Sequence, residues 1–377
     1  MKLNLTIPAR INLLGNPADA NEGDFAAISA ALNLYAGASI EPANHIVLEA
    51  RNRVGNQLVS IQRQEFTPDQ VPLPYTGELD LLKGAVNRLS QYSAGFRTQL
   101  AKAGFHLATW TDVPRQSGLG GSSLFVLLAL AGLRAFYELD RRRLNDYVLA
   151  ELAQRVESKE LGITCGFADR YVPLFGGLAY VDYRGKLQHR DLDAEPYATY
   201  ERLDEWVDDV PLVMISTGVV RDSGDVHGRM RPRYLEEYAE WEAHGGPQPP
   251  MVSWMSGAWE TAWRGKIALL KRDWETVGAL MSENHRLVNA MMEYCGFPDG
   301  AGWANNRLIE VALNEGGALG AKLTGAGGGG SVFALTQPDE EEKLVAAWTR
   351  AAAEAGLIAA QVRRPHIVRQ GLRVEAA

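Results

Sequence analysis

Cysteine is scarce in this chain: 377 residues carry only two, Cys165 and Cys295. They lie far apart and match no metal-ligand spacing, so neither a disulfide framework nor a cysteine-based metal centre is expected. They read as two reduced, partly buried thiols of a cytoplasmic protein. Long apolar runs are also lacking. The longest, Leu124 to Leu133, has the length of a buried helix and is too short for a bilayer span. The opening "MKLNLTIPARINLLG" has no charged segment leading into a long apolar block, so no signal peptide is expected. Positive charge is in deficit. The net charge of -8 counts against non-specific nucleic-acid binding, which needs a basic face, although a locally positive site can still take an anionic substrate. Two nucleotide signatures are missing as well: no Gly-x-Gly-x-x-Gly follows the first strand, and no Walker A Lys-Ser/Thr ending occurs. Internal repeats and low-complexity tails are absent.

What remains is the composition of a soluble globular protein. Hydrophobic residues at 46% and charged residues at 22% argue against disorder, and the length suggests two domains. The first part is rich in strands: "KLNLTIPARINLL" alternates over Leu3, Leu5 and Ile7, and "YAGASIEP" and "HIVLEAR" follow. Residues 78–104 read as helical, and "GFHLATWTDVP" as a strand ending at Pro114. Helices are expected from about Ser122 to Glu138 and from Leu144 to Ser158, then a strand at "GGLAYVDY". Mixed connections of this kind indicate α+β rather than a doubly wound sheet. A strand at Val210 to Thr217 opens a second domain, which gives a division into residues 1–205 and 206–377. Within the second, "AHGGPQPPM" breaks two helical segments, and the tryptophans Trp259, Trp263 and Trp274, with Leu269 and Leu270, are expected to pack in the core. The end of the chain runs helix, strand, glycine loop, strand, helix, strand. That order fits a ferredoxin-like split βαβ layer.

Three stretches carry chemistry. The first is "DVPRQSGLGGSS", a glycine-rich turn opening an apolar helix. Glycines let the backbone turn tightly, and the helix start offers unpaired N–H groups and a positive dipole end, which together favour an anion. Taken alone, the turn is as readily a serine-capped helix start as a phosphate site. The second is "KLTGAGGGGSVFAL", whose loop has five glycines in six positions, more than a hairpin requires. A loop lying flat against a nucleotide or substrate has reason to accept the entropic cost. The third, "PARINLLGNPADANEGDF", puts Arg10, Asn12, Asn16 and Asp19 at a strand-to-loop transition.

In this order, the three segments resemble the motifs of the GHMP kinases, the superfamily of galactokinase, homoserine kinase, mevalonate kinase and phosphomevalonate kinase. Pro114 through Ser123 follow the pattern Pro-x-x-x-Gly-Leu-Gly/Ser-Ser-Ser-Ala, with Gly121 in place of one serine. The finer resemblance is to the glucuronokinase-like branch, related to bacterial heptose kinases. It rests on "LGNPAD", "PRQSGLGGSS", "ELGITCGFADRYVPLFGGLAYVDY" and "DSGDVHGRMRPRYL". The resemblance implies a two-domain α+β fold, with an N-terminal domain like the second domain of ribosomal protein S5 and a ferredoxin-like C-terminal domain.

It also implies roles for residues. ATP phosphates would lie along Pro114, Gly118, Leu119, Gly120, Gly121, Ser122 and Ser123. Mg²⁺ would be held by Ser122 and Glu157, with Ser123 and Glu160 as alternatives; Glu157 and Glu160 could also form a plain solvated helix face. Asp169 in "GFADRY" matches the catalytic aspartate, and Arg10 would stand beside it. Substrate contacts are expected at Asn16, Asp19, His227, Gly325, Gly327 and Gly328. A uronate would want a guanidinium fork, and the candidates are Arg115, Arg170, Arg221, Arg229, Arg231 and Arg233, of which Arg115 and Arg231 are preferred. Relatives carry glutamine where this chain has Ala168, which bears on the substrate more than on catalysis.

The function that follows is an ATP-dependent sugar kinase acting on the anomeric hydroxyl of glucuronic acid or a related uronic acid. Heptose phosphate, galactose and fucose are alternative acceptors, and a catalytically silent sugar sensor is an alternative of another class. Small-molecule substrates, no nucleic acid, no membrane, and a monomer or homodimer complete the expectation.

Overall fold

The computed structural model describes residues 1–20, 25–186, 197–207, 209–220 and 223–377. Two β-sheets organise them. The first contains β1 (Leu3–Leu14), β2 (Ala26–Ala43), β3 (Ile46–Val54), β4 (Gln57–Phe66), β5 (Gly104–Thr111), β6 (Leu178–Asp182) and β7 (Thr199–Arg202). Their order runs β1-β2-β5-β3-β4, and β6 joins β2 further along and carries β7. Only β3 and β5 run parallel.

Strand β1 alternates as its sequence predicts for the first residues, then is buried without interruption from Ile7 to Leu14. Helices cover this second half: α3 (Gly121–Phe136) and α5 (Ala168–Phe175) pack on it, as do α7 (Pro250–Leu270) and α8 (Trp274–Tyr294). Arg10, Asn12 and Asn16 therefore belong to the wall between the two halves of the molecule. Strand β2 starts at Ala26, well ahead of the "YAGASIEP" segment. Its early stretch is rich in alanine, a helix former, and pairing with β1 and β6 overrides that propensity. Strand β4 is polar and exposed along most of its length, so it offers no hydrophobic pattern to read.

The helical run at residues 78–104 resolves into α1 (Asp80–Tyr92) and α2 (Ala94–Leu100), with Ser93 capping the second through the Phe96 N–H. Helix α3 is apolar nearly all round because it lies between the first sheet and its neighbours α1, α4 (Asp146–Arg155) and α5. Beyond α4 the backbone widens into a π-turn over Val156–Glu160.

The second sheet has β8 (Leu212–Ser216), β9 (Gly320–Thr324), β10 (Ser331–Leu335) and β11 (Gln361–Arg363) in the order β11-β8-β10-β9, all antiparallel. Fourth, first, third, second is the ferredoxin-like arrangement. Four helices stand between β8 and β9: α6 (Ser223–His244), α7, α8 and α9 (Trp303–Asn314); α10 (Glu341–Glu354) joins β10 to β11. The chain then crosses back, and β12 (Arg373–Ala376) pairs with β1 at the edge of the first sheet. Pattern reading of residues 206–377 as one unit does not anticipate that return.

The core expectation for the tryptophans fails in part. Trp263 is 52% exposed and Leu270 43%, because with Ile267 they form the outer face of α7; Leu269 is buried. No described helix is long and apolar enough to cross a membrane.

Candidate active site

A cavity of about 710 Å³ opens where β1, the start of α3, the start of α5 and the glycine loop after β9 converge. Its floor is an ion pair. Arg10 donates from Nε to Asp169 Oδ1 at 2.9 Å, its second terminal nitrogen donates to the same oxygen, and Nη1 reaches the Gly118 carbonyl at 2.5 Å. Asp169 Oδ2 has no protein partner among the described residues. Burial opposes the charge on Asp169. The nearby Arg10 and Arg170 guanidinium groups outweigh that effect and hold its carboxyl below the ordinary carboxylate range. Its place in the first turn of α5 works in the same direction.

Asp19 aims that helix. Its Oδ2 accepts from the Phe167 and Ala168 N–H groups at 3.0 and 2.9 Å, which caps α5 across 148 residues of sequence. Ala168 is buried, and its N–H is the group that bonds to Asp19. His227, on α6, also lines the cavity. Burial lowers its imidazole below the usual range, against the pull of Asp19 and Asp169.

The phosphate-loop expectation meets a definite geometry. Gly118 and Gly120 have φ of 73° and 80°, the left-handed region that suits glycine. Helix α3 starts at once, its first in-helix N–H being that of Leu124, which donates to the Gly120 carbonyl. The N–H groups of Gly121, Ser122 and Ser123 have no acceptor among the described residues, and a Cβ at Gly121 would meet nothing within 4 Å. This is a cradle of donors at a helix N-terminus. Pro114, Gly118, Gly120, Gly121 and Ser122 line the cavity, as does Arg115 at its exposed rim. Leu119 and Ser123 do not: Leu119 points into the core, and Ser123 is wholly buried with its hydroxyl on Glu157.

Glu157 comes from the π-turn, which swings it under the start of α3. Ser122 Oγ donates to its Oε1 at 2.6 Å and Ser123 Oγ to its Oε2 at 2.8 Å, while Arg170 pairs with Oε2. The hydroxyl–carboxylate pair of Ser122 and Glu157 is an oxygen donor set of the kind Mg²⁺ takes alongside water. Glu160 points elsewhere, to Arg88 at 2.6 Å and the Tyr75 hydroxyl at 3.0 Å, and does not line the cavity. Arg170 lines the cavity, yet its side chain is buried and spent on Glu157 and the Gly166 carbonyl, so it holds Glu157 in place rather than facing the open cavity.

The other arginines lie off the site. Arg231 is one turn beyond His227 and does not line the cavity, Arg229 pairs with Asp225, and Arg233 pairs with Glu237 and Tyr294. Arg221 lies outside the described residues. Cys165 does line the cavity, but burial pushes its thiol up to about 12, far from nucleophilic.

The second glycine loop uses its glycines differently from expectation. A Cβ on Gly118 would sit 2.4 Å from the Thr324 oxygen, and one on Gly325 would sit 2.7 Å from the Gly118 Cα. A Cβ on Gly329 would sit 2.5 Å from the Val219 oxygen, and one on Gly330 would sit 3.0 Å from the Ser117 backbone. Much of the glycine content lets two loops press against each other. Gly325 and Gly327 line the cavity, whereas Gly328 does not, its N–H being tied to the Ala301 carbonyl at 2.7 Å.

Three residues escape pattern reading. Thr324 lines the cavity and its Oγ1 lies 3.4 Å from the Gly118 carbonyl, joining the two loops. Asn284 on α8 accepts from the Gly15 N–H at 3.1 Å and donates to the Asn16 carbonyl at 2.9 Å. Lys322 is buried behind Asn12 and Asn16. The available signals were a lysine inside the otherwise apolar "ALGAKLTG" and an asparagine on the apolar face of a helix.

Comparison with known proteins decides the family. The model of the GHMP kinase N-terminal domain matches residues 80–177, and that of the GHMP kinase C-terminal domain matches residues 266–354. A probable glucuronokinase of Arabidopsis thaliana is 32% identical over 347 residues, covering 89% of this chain and 85% of the relative. The chain belongs to the GHMP kinase family. A D-glycero-alpha-D-manno-heptose 7-phosphate kinase of Campylobacter jejuni is 26% identical, covering 72% of this chain and 71% of the relative. Among solved structures, Lactococcus lactis galactokinase in complex with galactose superposes with a TM-score of 0.74 at 18% identity, over 99% of this chain and 95% of that one. That likeness supports the GHMP kinase fold, and the cavity described above takes lining residues from both matched segments.

Proposed function

We propose that this GHMP kinase transfers the γ-phosphoryl group of ATP to the anomeric C1 hydroxyl of glucuronic acid or a related uronic acid. The observation that carries the reading is the Arg10–Asp169 pair set opposite the donor cradle of α3, with resemblance to a glucuronokinase in support. Asp169 stays ionised and keeps Oδ2 open toward the cavity, so it can orient an acceptor hydroxyl and take its proton. As the hydroxyl oxygen bonds to the γ-phosphorus, the bond from that phosphorus to the β–γ bridging oxygen breaks and ADP leaves with the electron pair. Arg10 and the N–H groups of Gly121, Ser122 and Ser123 offset the charge on the transferring group. Ser122 and Glu157 would hold Mg²⁺, which when bound neutralises phosphate charge and orients the γ-phosphoryl group. Leu81, Val113 and Phe125 give the cavity apolar lining suited to the purine. Asp19 and His227 face the acceptor side, where their polar atoms fit sugar hydroxyls.

The test is ATP consumption by the purified protein against a panel of uronic acids, neutral hexoses, fucose and heptose phosphates, with the product's phosphate position read by NMR. Glucuronic acid or a near relative giving the highest kcat/KM, with the 1-phosphate as product, is the expected result. A heptose phosphate or neutral sugar in that place refutes the acceptor assignment. Tight sugar binding with no turnover of any acceptor refutes the kinase assignment in favour of a sensor.

A further inference from the structure

Lys322 occupies the middle of β9 with no exposure to solvent. No carboxylate pairs with it among the described residues; its Nζ donates to the Asn12 main-chain oxygen at 3.1 Å and to Oδ1 of Asn16. Burial drives its ammonium well below the ordinary range, and Arg10 adds to the effect. An apolar side chain would fill the same space without that cost, so the hydrogen bonds account for a lysine here.

Those bonds fix the direction of an amide. Asn16 Nδ2 lies 3.4 Å from the Gly325 carbonyl, and a carbonyl only accepts. Nδ2 therefore faces Gly325 and Oδ1 faces Lys322, which leaves the second Nδ2 proton for the cavity that Asn16 and Gly325 both line. Asn12 repeats the pattern. Its Oδ1 accepts from Ser29 Oγ at 2.8 Å, and its Nδ2 has no partner among the described residues on the same cavity wall. Two buried amides are thus turned with oxygens inward and N–H groups outward, beside Arg10. A short distance away, Asp19 presents a carboxylate, which repels an anion and accepts from hydroxyls.

We propose that Lys322 is a specificity-determining positioning residue, holding Asn16 so that, with Asn12, it forms a donor-only wall for the carboxylate of the sugar acid, while Asp19 takes hydroxyls. This rests on the uronic-acid reading above and names the part of the site that enforces it. A wall of donors favours an oxygen that only accepts, and charge-assisted bonds are the stronger ones. The γ-phosphate offers the same chemistry, and separate Michaelis constants for acceptor and nucleotide distinguish the two sources.

The experiment compares wild type, Lys322→Met and Asn16→Asp on a uronic acid and on the neutral hexose of the same stereochemistry. Lys322→Met frees the amide to rotate; Asn16→Asp replaces the donor with an acceptor while keeping Lys322 a partner. Each is expected to raise KM for the uronic acid about 10- to 100-fold, the loss of one or two charged hydrogen bonds. For both variants KM for the uronic acid is expected to rise well beyond any change in kcat, in KM for MgATP or in KM for the neutral hexose. A purely structural role for Lys322 would instead lower kcat or stability for both sugars alike. Should Lys322→Met fail to fold, Asn16→Asp carries the test. Folded variants that keep the wild-type ratio between the two sugars overturn the inference, as does a shift confined to MgATP. Wild type preferring the neutral hexose is a different failure, visible without any variant, and it removes the uronic-acid reading together with its wall.

Discussion

Gly118 and Gly121 sit three residues apart in one loop, yet the same substitution should have opposite effects at the two positions. At Gly118 an alanine must adopt φ near 73° and place its Cβ 2.4 Å from the Thr324 oxygen, on backbone that cannot swing aside. The left-handed conformation costs about 1–2 kcal/mol, and overpacking against fixed atoms adds about 1–3 kcal/mol. The expected destabilisation is therefore about 2–5 kcal/mol, seen as a fall of several degrees in Tm for a chain of this size. At Gly121 the helix has ordinary geometry and a Cβ meets nothing within 4 Å. Alanine there should match or exceed glycine in helix stability, by up to about 1 kcal/mol. Its methyl group, however, stands among the free N–H groups of the cradle and would hold a phosphate away from them. Losing one charge-assisted hydrogen bond, about 1.5–3 kcal/mol, corresponds to a rise in KM for MgATP of roughly 10- to 150-fold. Thermal unfolding and initial-rate kinetics on the two purified variants check both effects. A Gly121→Ala enzyme with wild-type KM for MgATP would remove the phosphates from this helix start. A Gly118→Ala enzyme with wild-type Tm would refute the loop-against-loop account of the glycines.

Asp169→Asn should leave nucleotide binding intact, measured by calorimetry, and lower kcat by about 10²- to 10⁴-fold, the usual range for removing a general base; near-normal turnover would remove the base assignment. The pH profile of Arg10→Met tests the electrostatics. Wild-type Asp169 has a depressed folded-state pKa, so it stays ionised as pH falls and its acid limb should lie below about 4, the ordinary aspartate value. Without Arg10, burial dominates and the acid limb should move up in pH; an unmoved limb would show that Arg10 does not set the charge on Asp169. Ser122→Ala should raise the half-saturating Mg²⁺ concentration about tenfold while kcat at saturating Mg²⁺ changes little, since one oxygen of the set is worth on the order of 1.4 kcal/mol. An unchanged Mg²⁺ dependence would take that role away from Ser122.

Much of the architecture was legible because its elements are strongly patterned. The β1 alternation, the apolar α3 and the strand–loop–strand at Lys322 to Leu335 all follow from periodicity and glycine content. What escaped is where tertiary context overrides local preference. The alanines that open β2 favour helix in isolation and become strand by pairing on both sides. The exposed face of α7 carries tryptophan and isoleucine, so hydrophobicity alone misassigns its buried side. Strand β12 returns to the first sheet over a distance in sequence that no local signal encodes.

The site divides along the same line. Arg10, Asp169 and Ser122 fall within motifs and Glu157 lies just ahead of one, and the structure brings all four to one cavity. The residues that orient them do so across the fold: Asp19 caps α5, Arg170 holds Glu157, and Lys322 turns Asn16. Of the arginines near the motifs, Arg115 lines the cavity rim, Arg170 is already paired and Arg231 lies off the cavity. The direction of the Asn16 amide depends on what stands behind it, Lys322, rather than on the amide itself. The glycine loops extend the point. A nucleotide-facing loop needs glycine only where its backbone meets the ligand, which in the proposed function is at Gly121, where a Cβ would meet no protein atom within 4 Å. Gly118 and Gly325 are glycines because each loop is the other's neighbour at backbone distance, with Thr324 joining them and Arg10 bonded to the Gly118 carbonyl. A shift of either loop must therefore move the other and pull on the arginine that charges Asp169. The start of α3 and Asp169 are thus joined through Arg10 and the two paired loops, which come from both halves of the chain.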